Sequence, residues 1–153
     1  MIFDDLIWDR TEADSDRAAY LCQLGDNMSA AERAEFNGGL KGAYNAADWN
    51  RVEEAVATLA TPLELSLTTK TDWTASDVWT EADETRYLSN LRAVAEPFQE
   101  GEKIPWSLAD LSVEDANGIE AAVWESASGL LWAADGPVYA ADGLLRITKM
   151  EAK

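Results

Sequence analysis

Histidine is missing from this chain of 153 residues. Its absence removes the commonest metal ligand, the usual general base and the one side chain that ordinarily titrates near neutrality. Serine–histidine and cysteine–histidine nucleophilic systems are excluded, as are zinc sites built on imidazole. A single cysteine, Cys22, excludes an internal disulfide and a thiolate cluster. It falls beside Tyr20 and Leu21 in a helical pattern and reads as a small core residue. Bases are scarce: 12 Lys and Arg stand against 29 Asp and Glu, a formal net charge of −17. Such a surface repels nucleic acid and anionic membranes, because binding phosphate depends on Lys and Arg displacing counterions. Two readings of the charge remain. Either the acids coat the outside of the body and keep it in solution, or they mimic nucleic acid and occupy a basic cleft on a host enzyme. No segment approaches the roughly 20 apolar residues of a membrane-spanning helix. The first ten residues carry Asp4, Asp5 and Asp9 with no early positive charge, unlike a secretory leader. The expectation is a protein soluble where it is synthesised.

Phosphate-cradling glycine motifs are missing too, and "Asp115-Ala116-Asn117-Gly118" is only a fragment of a calcium loop inside a helical pattern. Neighbouring acids such as Asp4/Asp5 and Glu53/Glu54 are expected by chance among 29 carboxylates. A two-carboxylate glycosidase therefore has no pair to single out. No cofactor and no catalytic residue is indicated.

What is present is a set of helix starts. Thr11 with Asp14, Ser29 with Glu32, Asn45 with Asp48, Thr80 with Asp83 and Ser112 with Asp115 each place an N-cap side chain three residues before an acid. They predict helices over about 11–24, a short stretch after 29, 45 to Pro62, 81–96 and 113–133. Trp49, Val52, Val56 and Leu59 form an apolar stripe on the third; Tyr87, Leu88, Leu91, Val94 and Ala95 do so on the fourth. Asp48 and Arg51 are spaced for a surface ion pair worth a few tenths of a kcal/mol. Gly42 permits a close approach just before the third helix. "Leu63-Glu64-Leu65-Ser66-Leu67-Thr68" alternates as a short half-buried strand does. Residues 1–10 read as an extended arm or short strand, and Val138 to Ile147, turning at Asp142-Gly143, as a β-hairpin. The fold class is mainly α: a docking arm over 1–10, a helical domain of four to five helices with a short strand over 11–134, and a C-terminal hairpin or tail over 135–153.

Seven tryptophans are many for this length and argue for a packed body. Trp49 and Trp124 sit on helix stripes. Trp73, Trp79 and Trp106 sit in loop-like segments; they either lid the core or serve as exposed anchors, and Trp73 with Trp79 could stack on a sugar. Trp106 is expected to pin the segment 99–111 to the body. The candidate interaction residues are Phe3 and Trp8 in the arm, Trp73, Trp79 and Trp106 in the loops, and Tyr139 in the hairpin.

Four segments, "DRTEADSDRAAYL", "GLKGAYNAADWNRVEEAVATLA", "TKTDWTASDVWTEADETRYLSNLRAV" and "ANGIEAAVWE", resemble in that order segments of an uncharacterised family from phages and prophages of gut Firmicutes. The family belongs to the tail or baseplate module and carries no catalytic signature. Its members end in a short "GE-hydrophobic-YAGE" element; here "GPVYAADG" takes that place and more chain follows. The resemblance implies a non-enzymatic structural protein of the virion, present in the host cytoplasm during assembly. Its partners would be other phage structural proteins or further copies of itself. An acidic inhibitor of a host nucleic-acid enzyme and a glycan-binding module are the alternatives.

Overall fold

The computed structural model describes residues 2–130, together with the backbone of 132–133 and 136–137. Its helices are α1 (Glu12–Leu24), α2 (Ala30–Asn37), α3 (Ala46–Ala60), α4 (Glu81–Ala95) and α5 (Val113–Gly129). Each opens on the capping box expected of it: the N-cap side chain accepts a backbone N–H of the first turn, and the acid three residues on accepts the N-cap N–H. The last helix stops at Gly129, short of its expected end.

These caps carry a pH dependence. Hydrogen bonds from the backbone and hydroxyl of Thr11 hold the Asp14 carboxyl below its ordinary value, and Ser29 does the same for Glu32. The Thr80 hydroxyl and backbone depress Asp83 likewise. A depressed folded value contributes stability that is present above the ordinary carboxylate range and is lost as pH falls through the folded value. The urea midpoint should therefore drop between about pH 5 and pH 2. The drop should shrink in a Thr11→Ala/Ser29→Ala/Thr80→Ala variant, whose acids have lost their hydroxyl donors; an unchanged drop would assign the effect to other groups.

The hydrophobic cluster is built from Val52, Val56 and Leu59 of α3, Tyr87, Leu91 and Val94 of α4, and Ile119 and Val123 of α5. Phe3 and Leu6 complete it from the N-terminus. Residues Ile2–Asp5 are not extended; they form a single 3-10 turn. At about three residues per turn, this winding puts positions 3 and 6 on one side, so both apolar side chains reach the core.

Residues 63–68 are not a strand. The period-two burial is there, with Leu63, Leu65 and Leu67 packed against the core and Glu64, Ser66 and Thr68 exposed. No neighbouring strand offers a ladder among the described residues; the N–H groups of Leu63, Glu64 and Leu65 donate to the carbonyls of Leu59, Thr61 and Ala60 at the end of α3, and helix side chains hold the backbone that follows. Asn90 Nδ2 donates to the Thr68 carbonyl at 2.7 Å, and the Lys70 N–H donates to Glu53 Oε2 at 2.7 Å. Asn50 both donates to the Trp73 carbonyl and accepts from its N–H. The segment is a strap stapled across α3 and α4.

Helices α1 and α2 lie at the periphery: α1 buries only Ala18 and Leu21, and α2 buries none of its residues. Cys22 is accordingly exposed and not in the core. Past α5, Trp132–Ala133 and Gly136–Pro137 pair as two-residue antiparallel strands. The hairpin expected at 138–147 lies outside the described residues, as does Tyr139. No helix among the described residues is long and apolar enough to cross a membrane.

Candidate functional site

The acids do not all coat the outside. Asp48, Glu53 and Glu120 are buried, and so is Arg10. Glu120 of α5 is wholly inaccessible and receives both guanidiniums of a four-membered network. Arg10 Nη2 donates to Glu120 Oε1 at 2.6 Å and to Asp48 Oδ1 at 2.8 Å. Arg51 donates to Glu120 through Nε at 2.9 Å and Nη2 at 2.7 Å, and its Nη2 also donates to Asp48. Two cations and two carboxylates cancel, which is the condition for holding charges in a dry interior. Arg10 also donates to the carbonyls of Ile7 and Lys41, and the Ile7 N–H donates to Glu120. Burial works against the Arg51 charge, yet its bonds to Glu120 and Asp48 outweigh that and keep its proton bound more tightly than usual. The Asp48–Arg51 pair expected on the surface is thus part of an internal clamp joining the arm, α3 and α5.

Glu53 organises a second clamp. It accepts from both terminal nitrogens of Arg86, at 2.5 and 2.9 Å, and from the Trp73 indole N–H at 3.1 Å. Trp73 is 5% exposed and belongs to a stack: its ring centroid lies 5.5 Å from that of Trp49 and 5.0 Å from that of Trp79. Trp49 and Trp79 stack at 4.3 Å, and Trp79 meets Tyr87 edge-on. Trp73 therefore presents no free face to a sugar, and Trp79 is partly buried against the core. Only the Asp48–Arg51 pair, three residues apart, was legible; the other partners of both clamps are far apart in sequence. A signal did exist: Glu53 lies between Trp49 and Val56, and Glu120 between Ala116 and Val123, each on the apolar arc of its helix.

The remaining candidate residues divide by exposure. Phe3 is a core residue of its own chain at 4% exposure, so it is not free to meet a partner. Trp8 is 40% exposed and packs against Trp124, centroids 5.2 Å apart. Trp106 is 86% exposed. It does not pin the loop; the loop is pinned on either side of it. Arg92 Nη2 donates to the carbonyls of Ile104 and Pro105 at 3.2 and 2.6 Å, while the Arg92 guanidinium carbon lies 3.9 Å from the centre of the Trp106 ring. On the other side, Ser107 Oγ and the Leu108 N–H both donate to Glu84 Oε1. Ile104 is buried beneath. The result is an exposed indole on a fixed backbone, one ring face occupied by a guanidinium. It stands beside a cleft of about 510 Å³ lined by Arg92, Glu96, Gln99, Gly101, Glu102 and Ile104. Sequence reasoning placed Trp106 among three candidate loop tryptophans; nothing local distinguishes the exposed one from the buried ones.

Among the described residues, no group of three or more acids and cysteine is placed to hold a metal ion. No family model, curated protein or solved structure matches the chain.

Proposed function

We propose that this chain is a non-enzymatic structural component of a phage particle, tail or baseplate associated, that works by protein–protein contact. Its partners are other phage structural proteins or further copies of itself, and its place is the virion, with the host cytoplasm as the site of assembly. The four-segment resemblance supports the setting. The observation that supports the mode of action is Trp106: a large aromatic left outside on a backbone tied down at both sides. Tryptophan is among the residue types that dominate binding energy at protein interfaces, and a backbone already held in place removes part of the ordering cost of association.

Mass spectrometry of purified particles should detect the polypeptide; its absence from them would end the reading. Within that setting, Trp106→Ala should lower incorporation about 30-fold, the equivalent of about 2 kcal/mol at an interface anchor. Its melting temperature should stay unchanged, because the side chain covers little of the body. Full incorporation of Trp106→Ala would remove this face from the interface. Deleting residues 1–8 is not a test of docking, since it withdraws Phe3 and Leu6 from the core.

A further inference from the structure

We propose that the segment docking at Trp106 is basic, and that an arginine side chain enters the cleft that the indole lines together with Glu96 and Glu102. The inference rests on Trp106 being the docking face. The cleft holds two exposed carboxylates, Glu96 and Glu102, and one base, Arg92. Arg92 is committed to the Ile104 and Pro105 carbonyls. The neighbouring Lys103 is committed to Glu100 at 2.5 Å. Glu96 and Glu102 enter no ion pair among the described residues. The local sum is one positive against two negative charges. One incoming guanidinium brings it to zero, whereas an incoming carboxylate doubles the imbalance. A neutral sugar would gain stacking alone and leave both acids unused.

Three further observations point the same way. Glu96 is the C-cap of α4, where the carbonyl end of the helix favours a cation. The whole chain carries −17, so its field draws a basic partner and repels an acidic one. Arg92 already demonstrates the geometry on one face of the ring, and at 86% exposure the opposite face is open. Arginine suits the cleft better than lysine, because a planar guanidinium can stack on an aromatic ring and still offer N–H groups to carboxylates.

The test uses the full chain labelled with ¹⁵N, reading the Trp106 indole N–H, assigned by its loss in Trp106→Ala. The probes are a blocked Gly-Gly-Arg-Gly-Gly pentapeptide, its citrulline counterpart and cellobiose. The arginine peptide should shift the signal saturably, bind about fivefold more tightly than the citrulline peptide, and weaken at 0.5 M salt. A Glu96→Gln/Glu102→Gln variant should lose that preference while melting as the parent does. Equal binding of the arginine and citrulline peptides, or tighter binding of cellobiose, overturns the proposal. These outcomes separate it from the docking reading: no arginine preference together with loss of Trp106→Ala from particles removes the basic partner and leaves the interface. An arginine preference together with normal incorporation of Trp106→Ala establishes a cation site and removes the particle interface.

Discussion

Replacing Glu120 with alanine should cost about 3–5 kcal/mol of stability, the usual penalty for breaking a buried ion pair from one side. The reason is what stays behind. Arg10 and Arg51 would face each other across a cavity with only Asp48 between them, and the Ile7 N–H would lose its acceptor. Neither arginine can shed its proton to escape, since guanidinium stays charged in any accessible range. Glu120→Gln should fall between parent and alanine variant: it fills the space and still accepts hydrogen bonds, but leaves one unit of positive charge uncompensated. Replacing all four members with apolar residues of similar volume should recover most of the loss, because desolvation of the charges then disappears with them. Urea unfolding at pH 7 measures all three. A Glu120→Ala loss under about 1 kcal/mol would mean that water reaches the clamp and that its charges are not interior.

Gly42→Ala should cost about 3 kcal/mol, at the upper end of ordinary overpacking. A Cβ at position 42 would stand 1.9 Å from the Asp14 carbonyl oxygen, 2.1 Å from its carbon and 2.5 Å from the Ser15 nitrogen. All three are backbone atoms in the first turn of α1, so no flexible side chain can swing aside. The turn must lift away from α1, taking with it the Lys41 carbonyl that accepts from Arg10 Nε at 3.0 Å. The two predictions are therefore linked: Gly42→Ala should loosen the same clamp that Glu120→Ala breaks, and their combined effect should be less than additive. Gly101→Ala is the control, since a Cβ there meets nothing within 4 Å. It should change stability by less than about 0.5 kcal/mol. Indistinguishable melting of the two alanine variants would show that the turn does not press on α1.

The clamp also accounts for the segment "GLKGAYNAADWNRVEEAV". Gly42 lets the turn lie against α1, Asn45 and Asp48 start α3, and Asp48 and Arg51 then share the interior with Arg10 and Glu120. The start of α3 was legible because a capping box is a contact between residues three apart. The rest was not. Arg10 and Glu120 are separated by 110 positions, and no local pattern announces such a pair. A glutamate on an apolar arc was the one available sign, and it reads as a solvated neighbour unless a base is known to reach it.

The loop segments divide along the same line. Alternation over 63–68 correctly implied one buried and one exposed face. Whether a half-buried segment becomes a strand depends on an edge to pair with; here the N–H groups of residues 63–65 turn back onto carbonyls at the end of α3, and Asn90 takes the Thr68 carbonyl. For Trp73, Trp79 and Trp106 the local contexts are alike, loop positions among hydroxyls and acids. Yet Trp73 lies in the body with its N–H on Glu53, and Trp106 lies outside on Arg92.

By itself, then, the order of residues determined where helices start, which stripes turn inward and that the surface is acidic. Those properties arise from interactions within one turn or from charge that adds up irrespective of position. Only the tertiary structure decided which acids are interior, that the first residues wind into the core, and which loop tryptophan is left exposed. Burial of a given side chain depends on what the distant chain lays over it, and that covering is a property of the assembled helices and not of any local stretch.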